Sequence, residues 1–250
     1  MSGHSKWSTI KHKKAAKDAR RGQMFTKLIR EISVAARLGN SGDPNFNARL
    51  RTAVLAAKAA RMPNDNIDRA IKKGLGEGGG DSYEDVTYEG YGPGGVAILV
   101  QGLTDNRNRT VAALRGIFQK YGGSLGEAGC VNWMFSRRGV FVVDGASIDE
   151  ERLMEIALEA GAQDVTESGD AWEVTTEPDA FESVREVLER AGAVIRSAEL
   201  GMVPDNTVGA SGADAARLVR LLEALDEHDD VQSVSANADL DEEELARLSG

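Results

Sequence analysis

The sequence predicts a multi-domain protein of the α and α+β classes. An all-α N-terminal helical domain is expected first, followed by two ferredoxin-like α+β domains, one inserted in the other. Three observations predict this: helical apolar spacing up to residue 74, a change of period after the five glycines of 74–81, and a β-α-β-β-α-β order in the second half. A length of 250 residues suits two or three compact units.

Three helices are expected in the N-terminal part. Apolar residues recur at helical spacing over 21–39, and Gly39 is expected as the C′ residue that ends this helix. A second helix runs from residue 47 to Pro63, and a third over 64–74 starts on Asn64 or Asp65 as its cap. Residues 8–20 are compatible with a further turn or two of helix.

The period changes to that of strands after residue 81. A strand, a Gly/Pro turn and a buried strand at 96–99 are followed by a helix and by a strand at 130–135. A complete β-α-β-β-α-β unit then intervenes, with Asp149 capping its first helix, before a last helix and a strand at 231–236. The expected domains are a basic helical domain at 1–78, a discontinuous α+β domain at 79–135 plus 204–240, and an inserted α+β domain at 136–203.

Composition restricts the compartment and the class of protein. Apolar residues make up 41% of the chain, which is ordinary for a globular protein. The single cysteine, Cys130, cannot form an internal disulfide, as is typical of a reducing compartment. The chain contains neither an apolar run long enough to span a bilayer nor a secretory h-region, so the sequence predicts a cytoplasmic protein without a membrane partner.

Charge is distributed very unevenly along the chain. Residues 1–75 contain 17 Lys or Arg and 5 Asp or Glu, a net charge of +12. The remaining residues contain 13 and 35, a net charge of −22. Such asymmetry predicts a polyanion-binding head on acidic domains, and the alternative is a solvated helix face that is basic without a ligand.

The basic opening stretch supplies the candidate nucleic-acid contacts. Lysine acts as a point charge on phosphate, and Trp7 in the middle of the run offers a surface for base stacking, although it could equally pack against the helices. The predicted nucleic-acid-binding residues are His4, Lys6, Trp7, Lys11, His12, Lys13, Lys14, Lys17, Arg20, Arg21, Lys27 and Arg30.

A second polar group opens the helix that follows the buried strand. Asp105 or Asn106 is expected to cap this helix, but two arginines in its first turn oppose the helix dipole. A bound anion would explain them. The hypothesis is a second anion or partner site formed by Tyr91, Gly92, Asn106, Arg107, Asn108 and Arg109.

Catalytic and metal-binding patterns are lacking in the sequence. Residues 90–95 satisfy G-x-G-x-x-G, but a strand follows instead of a helix and Pro93 removes a donor, which favours a hairpin turn. No P-loop is present, the three histidines lack metal-ligand spacing, and Cys130 is expected in the core. The acidic clusters 226–230 and 241–244 are expected to be solvated. We therefore expect no catalytic residue, metal, cofactor or small-molecule substrate.

Several strings together resemble the YebC family, which includes the mitochondrial translational activator of cytochrome c oxidase. They are GHSKW at 3–7, FTKLIREI at 25–32, MPNDNIDRAIKKG at 62–74, YEGYGPGG at 88–95, DNRNRT at 105–110 and LGEAGCVNWMF at 125–135. The resemblance covers essentially the whole chain and is densest over its first 135 residues. The family motif begins at residue 3, so the basic run is interpreted as part of the mature fold instead of a transit peptide.

The resemblance implies three domains and a non-enzymatic, cytoplasmic role associated with nucleic acid. It implies two competing functions, a DNA-binding transcriptional regulator and a ribosome-associated translation factor that aids synthesis through proline-rich stretches. The corresponding partners are DNA, rRNA or tRNA, and the ribosome or RNA polymerase. Phosphate-directed lysines favour RNA or non-specific DNA, because the base-contacting residue types are not arrayed on one short recognition helix.

Overall fold

The computed structural model describes residues 18–77 and 83–240, and their side chains from Gly22 onward. The α-helices, numbered along the described chain, are α1 (Asp18–Leu38), α2 (Ala48–Ala59), α3 (Asn64–Gly74), α4 (Arg107–Lys120), α5 (Glu150–Glu159), α6 (Phe181–Arg190) and α7 (Gly212–Asp226). The strands are β1 (Glu84–Tyr91), β2 (Ala97–Thr104), β3 (Ser124–Leu125), β4 (Phe135–Asp144), β5 (Ala162–Ser168), β6 (Ala171–Thr176), β7 (Ile195–Pro204), β8 (Val208–Ala210), β9 (Val231–Ala236) and β10 (Ala238–Leu240).

Helices α1, α2 and α3 pack around one small core. Ile32, Leu50, Ala57 and Ile67 are buried there, which are positions that the helical spacing of the sequence places on inner faces. The side-chain oxygen of Asn47 caps α2 by accepting a hydrogen bond from the Leu50 amide at 3.1 Å. We call residues 1–77 the head; the structure describes its residues 18–77, which contain these three helices.

Two details of the helix ends differ from the sequence prediction. Asn40, with φ of 44°, takes the left-handed position after α1, and Gly39 lies one residue before it. A Cβ on Gly39 would lie 2.1 Å from the side-chain nitrogen Nδ2 of Asn47. This glycine is therefore needed for close packing and not for its dihedral angles. Helix α3 starts at Asn64, and Pro63 takes the N-cap position without a side-chain hydrogen bond, so neither Asn64 nor Asp65 is the cap.

The first antiparallel sheet has the order β3-β1-β2-β9. Helices α4 and α7 cover one face, where Phe118 and Leu218 pack with Ile98 and Val100. The turn between β1 and β2 is the expected hairpin, in which Gly94 and Gly95 have φ of 74° and 75°. Strands that precede residues 135–204 in the chain and a strand that follows them therefore meet in one sheet.

The second antiparallel sheet, of order β5-β6-β4-β7, is formed entirely from residues between 135 and 204. With α5 and α6 it has the chain order and the strand order of a ferredoxin-like unit. Phe141 and Phe181 stack in its core with ring centroids 4.6 Å apart. The strands of the first sheet have the same spatial arrangement. Strand β1 occupies the position that β6 occupies in the second sheet, but β1 comes first of the four strands in the chain. The α and α+β fold is thus confirmed, while the domain boundaries remain predictions.

The prediction of a strand at 130–135 is wrong. Asn132–Met134 forms a single turn of 3-10 helix, and β4 begins at Phe135. The amides of Gly129, Val131 and Asn132 all donate to the carboxylate of Glu89, so they cannot join a strand ladder. Cys130 beside them is half-buried.

Candidate nucleic-acid interface

Most of the predicted nucleic-acid contacts lie outside the described residues. They are His4, Lys6, Trp7, Lys11, His12, Lys13, Lys14 and Lys17. The backbone of Arg20 and Arg21 belongs to α1, but their side chains are also outside the description. Their role in binding therefore stays a prediction.

Lys27 and Arg30, the other two predicted contacts, face the chain's own carboxylates. The Arg30 guanidinium donates to the Asp229 carbonyl at 2.6 Å and to Asp230 Oδ1 at 2.9 Å. Lys27 donates to the carbonyl of Asp226, the last residue of α7, where an ammonium also complements the helix dipole. These two cations join the head to residues 226–230. Their position in a basic run of the sequence does not predict this contact.

Other cations of the head are exposed to solvent. Lys58 and Lys72 lie in the last turns of α2 and α3, and Arg61 follows α2. Among the described residues, no carboxylate within salt-bridge distance is found for these three side chains. These three residues are not among the predicted nucleic-acid contacts, although they belong to the same +12 segment.

The second predicted site is divided between two places. Tyr91 and Gly92 lie at the turn end of the β1–β2 hairpin, whereas Asn106–Arg109 follow its other end, where Glu84 pairs with Thr104. Seven steps along a strand separate the two groups by roughly 23 Å. The structure therefore does not bring these six residues together, and a role of either group in binding an anion or a partner stays a prediction.

The Asn106–Arg109 segment has carboxylate partners within the chain. Asn106 caps α4 by accepting from the Arg109 amide at 3.1 Å, as predicted. Arg107 Nε lies 2.9 Å from Glu84 Oε1, and Arg109 Nη2 lies 2.6 Å from Asp105 Oδ1. These carboxylates raise the pKa of both guanidinium groups. They supply the negative charge that two arginines at a helix start require.

Asp230 belongs to an acidic cluster that was expected to be solvated, but it is the most buried acid of this region. Its side chain is 3% exposed and accepts hydrogen bonds from Thr110 Oγ1 at 2.7 Å and Arg30 at 2.9 Å. Burial raises the pKa of this carboxyl, but the Thr110 and Arg109 hydrogen bonds and the arginine charges outweigh burial and hold the pKa below its ordinary value. A helix-ending run of acids carries no local signal that one member will be buried.

The cleft in front of Asp230 carries both signs of charge. Its lining includes two guanidinium groups and four carboxylates, together with Gln23 and His228; the charged residues are Arg30, Arg109, Asp105, Glu227, Asp229 and Asp230. An anion entering the cleft would meet more negative than positive charge. The cleft is therefore a poor phosphate site, and the exposed cations of the head are the better one.

Tyr91 and Gly92 hold the hairpin turn in place. Tyr91 donates its hydroxyl to the Cys130 carbonyl at 3.1 Å. A Cβ on Gly92 would lie 2.9 Å from both Ile98 Cδ1 and Leu218 Cδ1, so the turn can approach α7 only with glycine there. Both residues have a packing role.

Residues 18–77 and 83–240 contain neither a metal-binding cluster nor a membrane-spanning helix. No group of three or more His, Cys, Asp or Glu side chains there is arranged to hold a metal ion. None of the helices in these ranges combines the length and apolar character needed to cross a bilayer.

The fold and the charge distribution together define a basic helical head that is followed by two antiparallel sheets, each packed against helices. The family model described as TACO1/YebC protein N-terminal domain matches residues 5–77, and that of the TACO1/YebC second and third domain matches residues 83–238. The chain belongs to the TACO1/YebC family, as its sequence motifs predicted.

Curated relatives span the whole chain. A protein of Desulfatibacillum aliphaticivorans is 57% identical over 245 residues, covering 98% of this chain and 99% of the relative. One from Geobacter sulfurreducens is 56% identical over 248 residues, covering 99% and 100%. Both are named probable transcriptional regulatory proteins.

A solved structure has the same fold. The crystal structure of a conserved hypothetical protein from Aquifex aeolicus superposes with a TM-score of 0.83 at 49% identity, covering 93% of this chain and 96% of that one. The names of the relatives describe regulators of transcription, and that of the Aquifex protein describes no activity.

Proposed function

We propose that this protein is a non-enzymatic, cytoplasmic regulator of gene expression that binds nucleic acid through its head. The observation that carries the proposal is the separation of charge, +12 over residues 1–75 against −22 over the rest. A protein of this net charge would be repelled by a polyanion unless its cations were gathered on one surface. The names of the curated relatives are consistent with a regulator.

The exposed cations of the head are suited to phosphate. Lys58, Arg61 and Lys72 project from the ends of α2 and α3 into solvent. Contacts of this kind contribute affinity and salt dependence but read no sequence. The head therefore favours a ligand that is recognised by its backbone and shape.

Helix α3 follows α2 after four residues, which is the spacing of a helix-turn-helix, but its first turns are poorly suited to reading bases. Asp65 and Asp68 place negative charge there. Arg69 is bonded back to its own helix, with Nη2 at 2.6 Å from Asn66 Oδ1. These contacts argue against an operator-specific regulator working with RNA polymerase, and they leave RNA or non-specific DNA as the ligand of the head. The second candidate function, a translation factor that binds rRNA or tRNA on the ribosome and aids proline-rich synthesis, does not require base reading by α3.

The test is charge reversal in the full chain. We expect Lys11, Lys13 and Lys14 replaced together by Glu to weaken binding to structured RNA and to duplex DNA by at least about a hundredfold at physiological salt, because three phosphate contacts become repulsions. The matched control replaces Arg115, Lys120 and Arg220, exposed cations of α4 and α7, by Glu. Fluorescence anisotropy measures both ligands.

Three results are informative. Equal loss in the control variant, or no loss in the head variant, would contradict nucleic-acid binding by the head. A preference of about a thousandfold or more for one duplex sequence would support an operator-binding regulator. Tighter binding of RNA without such a preference would support the translation factor.

A further inference from the structure

Trp133 has its indole N–H bonded within the chain and most of its surface in solvent. Its side chain is 66% exposed, and its indole N–H donates to the Cys130 carbonyl at 3.3 Å. The same carbonyl accepts the Tyr91 hydroxyl at 3.1 Å. An exposed tryptophan whose polar atom is already bonded presents its apolar face outward, and such residues dominate protein interfaces.

The loop that carries Trp133 is organised around a buried carboxylate. Glu89 is 7% exposed, and its two oxygens accept the amides of Gly129, Val131 and Asn132 at 2.7, 2.7 and 2.8 Å. The Glu89 carbonyl also accepts the Gly126 amide at 2.8 Å. A partner that binds Trp133 thus meets a pre-ordered surface, and less conformational entropy is lost on binding.

The loop that carries this tryptophan also contains an exposed carboxylate, and a second acid follows close to it in space. Glu127 lies in the same loop and is exposed, and the Asp205 amide donates to the Met134 carbonyl at 2.9 Å. Burial raises the pKa of the Cys130 thiol, and the charges of Glu89 and Glu127 raise it further. The whole segment from residue 76 onward has a net charge of −22. A phosphate backbone would be repelled here, whereas Lys and Arg side chains would be attracted.

We propose that Trp133 is the aromatic anchor of a second interaction surface, which binds a Lys/Arg-rich segment of a protein partner. A cationic side chain over the indole face gains a cation–π interaction, and Glu127, exposed in the same loop, is available to pair with another cation of the segment. This surface is distinct from the basic head. One protein could then hold a nucleic acid and a basic protein at the same time.

The test uses the full chain and a fluorescently labelled peptide of alternating Arg and Lys. We expect Trp133→Ala to weaken peptide binding at least about tenfold, while Trp133→Phe, which keeps an aromatic face, stays within about threefold of wild type. Phe46→Ala is the control, because Phe46 is 85% exposed but lies in the basic head. Circular dichroism verifies that each variant is folded.

Other probes distinguish the remaining occupants. Peptide affinity that is equal in Trp133→Ala and wild type would overturn the proposal. So would loss of single-stranded RNA binding without loss of peptide binding, which would identify a nucleobase as the occupant. Self-association abolished by Trp133→Ala in sedimentation, with peptide binding unchanged, would identify a second copy of this chain. Nucleic-acid binding by the head is measured separately, so either proposal can fail alone.

Discussion

At the scale of single residues, the left-handed backbone positions that follow α1 and α2 are occupied by residues other than glycine. Asn40 and Arg61 are the two described non-glycine residues with positive φ, 44° and 58°. Asparagine tolerates this conformation, but for arginine it costs about 1–2 kcal/mol. The Arg61 amide donates to Lys58 O and the Met62 amide to Ala57 O, both at 2.9 Å, which is the Schellman ending that favours glycine.

Arg61→Gly is therefore expected to stabilise the protein by about 0.5–1 kcal/mol, since relief of the left-handed strain exceeds the entropy that glycine adds to the unfolded chain. Urea unfolding of the full chain measures the change. Arg51→Gly, within α2 near its start, is the matched control and should destabilise by about 1 kcal/mol. A loss of stability in both variants would contradict the strain argument.

At the scale of elements, one carboxylate decides the shape of the segment between β3 and β4. Burial raises the pKa of Glu89, but three backbone amides outweigh burial and hold the pKa below its ordinary value of 4.5. The carboxylate therefore stabilises the folded state when it is ionised. This stabilisation is present above the unfolded pKa and is lost as the pH falls through the lowered folded pKa.

Glu89→Gln should lower the free energy of unfolding by about 1–3 kcal/mol near neutral pH, because one amide of the loop then faces an NH₂ donor. The difference from wild type should shrink as the pH falls below about 4. Unfolding curves across this pH range measure it. Glu127→Gln, an exposed change in the same loop, should have little effect at either pH. A difference from wild type that is independent of pH would contradict the ionised role.

At the scale of the whole molecule, described contacts between the head and the first sheet are largely ionic. Arg49 pairs with Glu31 on α1 at 2.7 Å and with Asp85 on β1 at 2.8 Å. Arg30 reaches across to Asp230, and its guanidinium lies over the Tyr83 ring, 5.2 Å from the centroid. A joint of this kind is positioned by paired charges, so removal of one partner leaves the other uncompensated.

Asp230→Asn is expected to destabilise the protein by about 3 kcal/mol, because the half-buried Arg30 loses its charged partner. Amide hydrogen exchange should accelerate in α1 and at the start of α4, which both contact Asp230. The control is Asp229→Asn, since Asp229 is exposed and accepts the Arg30 bond through its backbone carbonyl. Similar exchange in the two variants would show that Asp230 does not hold the joint.

Much of the fold could be predicted because its signals are local. Helical spacing located α1 and α2, and the Gly/Pro turn at 90–95 located the first hairpin. Asp149 and Asn106 cap the helices that they were expected to cap. Each of these features depends on contacts within a few residues along the chain.

The candidate site was less predictable, because its decisive contacts join residues far apart in sequence. Lys27 and Arg30 resemble the other cations of a basic run, and their partners lie about 200 positions away. Glu89 reads as one polar residue in a strand, and its partners begin 40 positions later. The strand predicted at 130–135 failed for the same reason, since a distant carboxylate binds its amides.

The sequence by itself determined the order of helices and strands, the charge separation and the family resemblance, because each depends on residue type and spacing along one dimension. Only the tertiary structure decided which charges remain exposed and which are paired within the chain. It separated Tyr91 from Arg107, buried Asp230 and exposed Trp133. Burial and pairing depend on distance in space, which composition and periodicity do not encode.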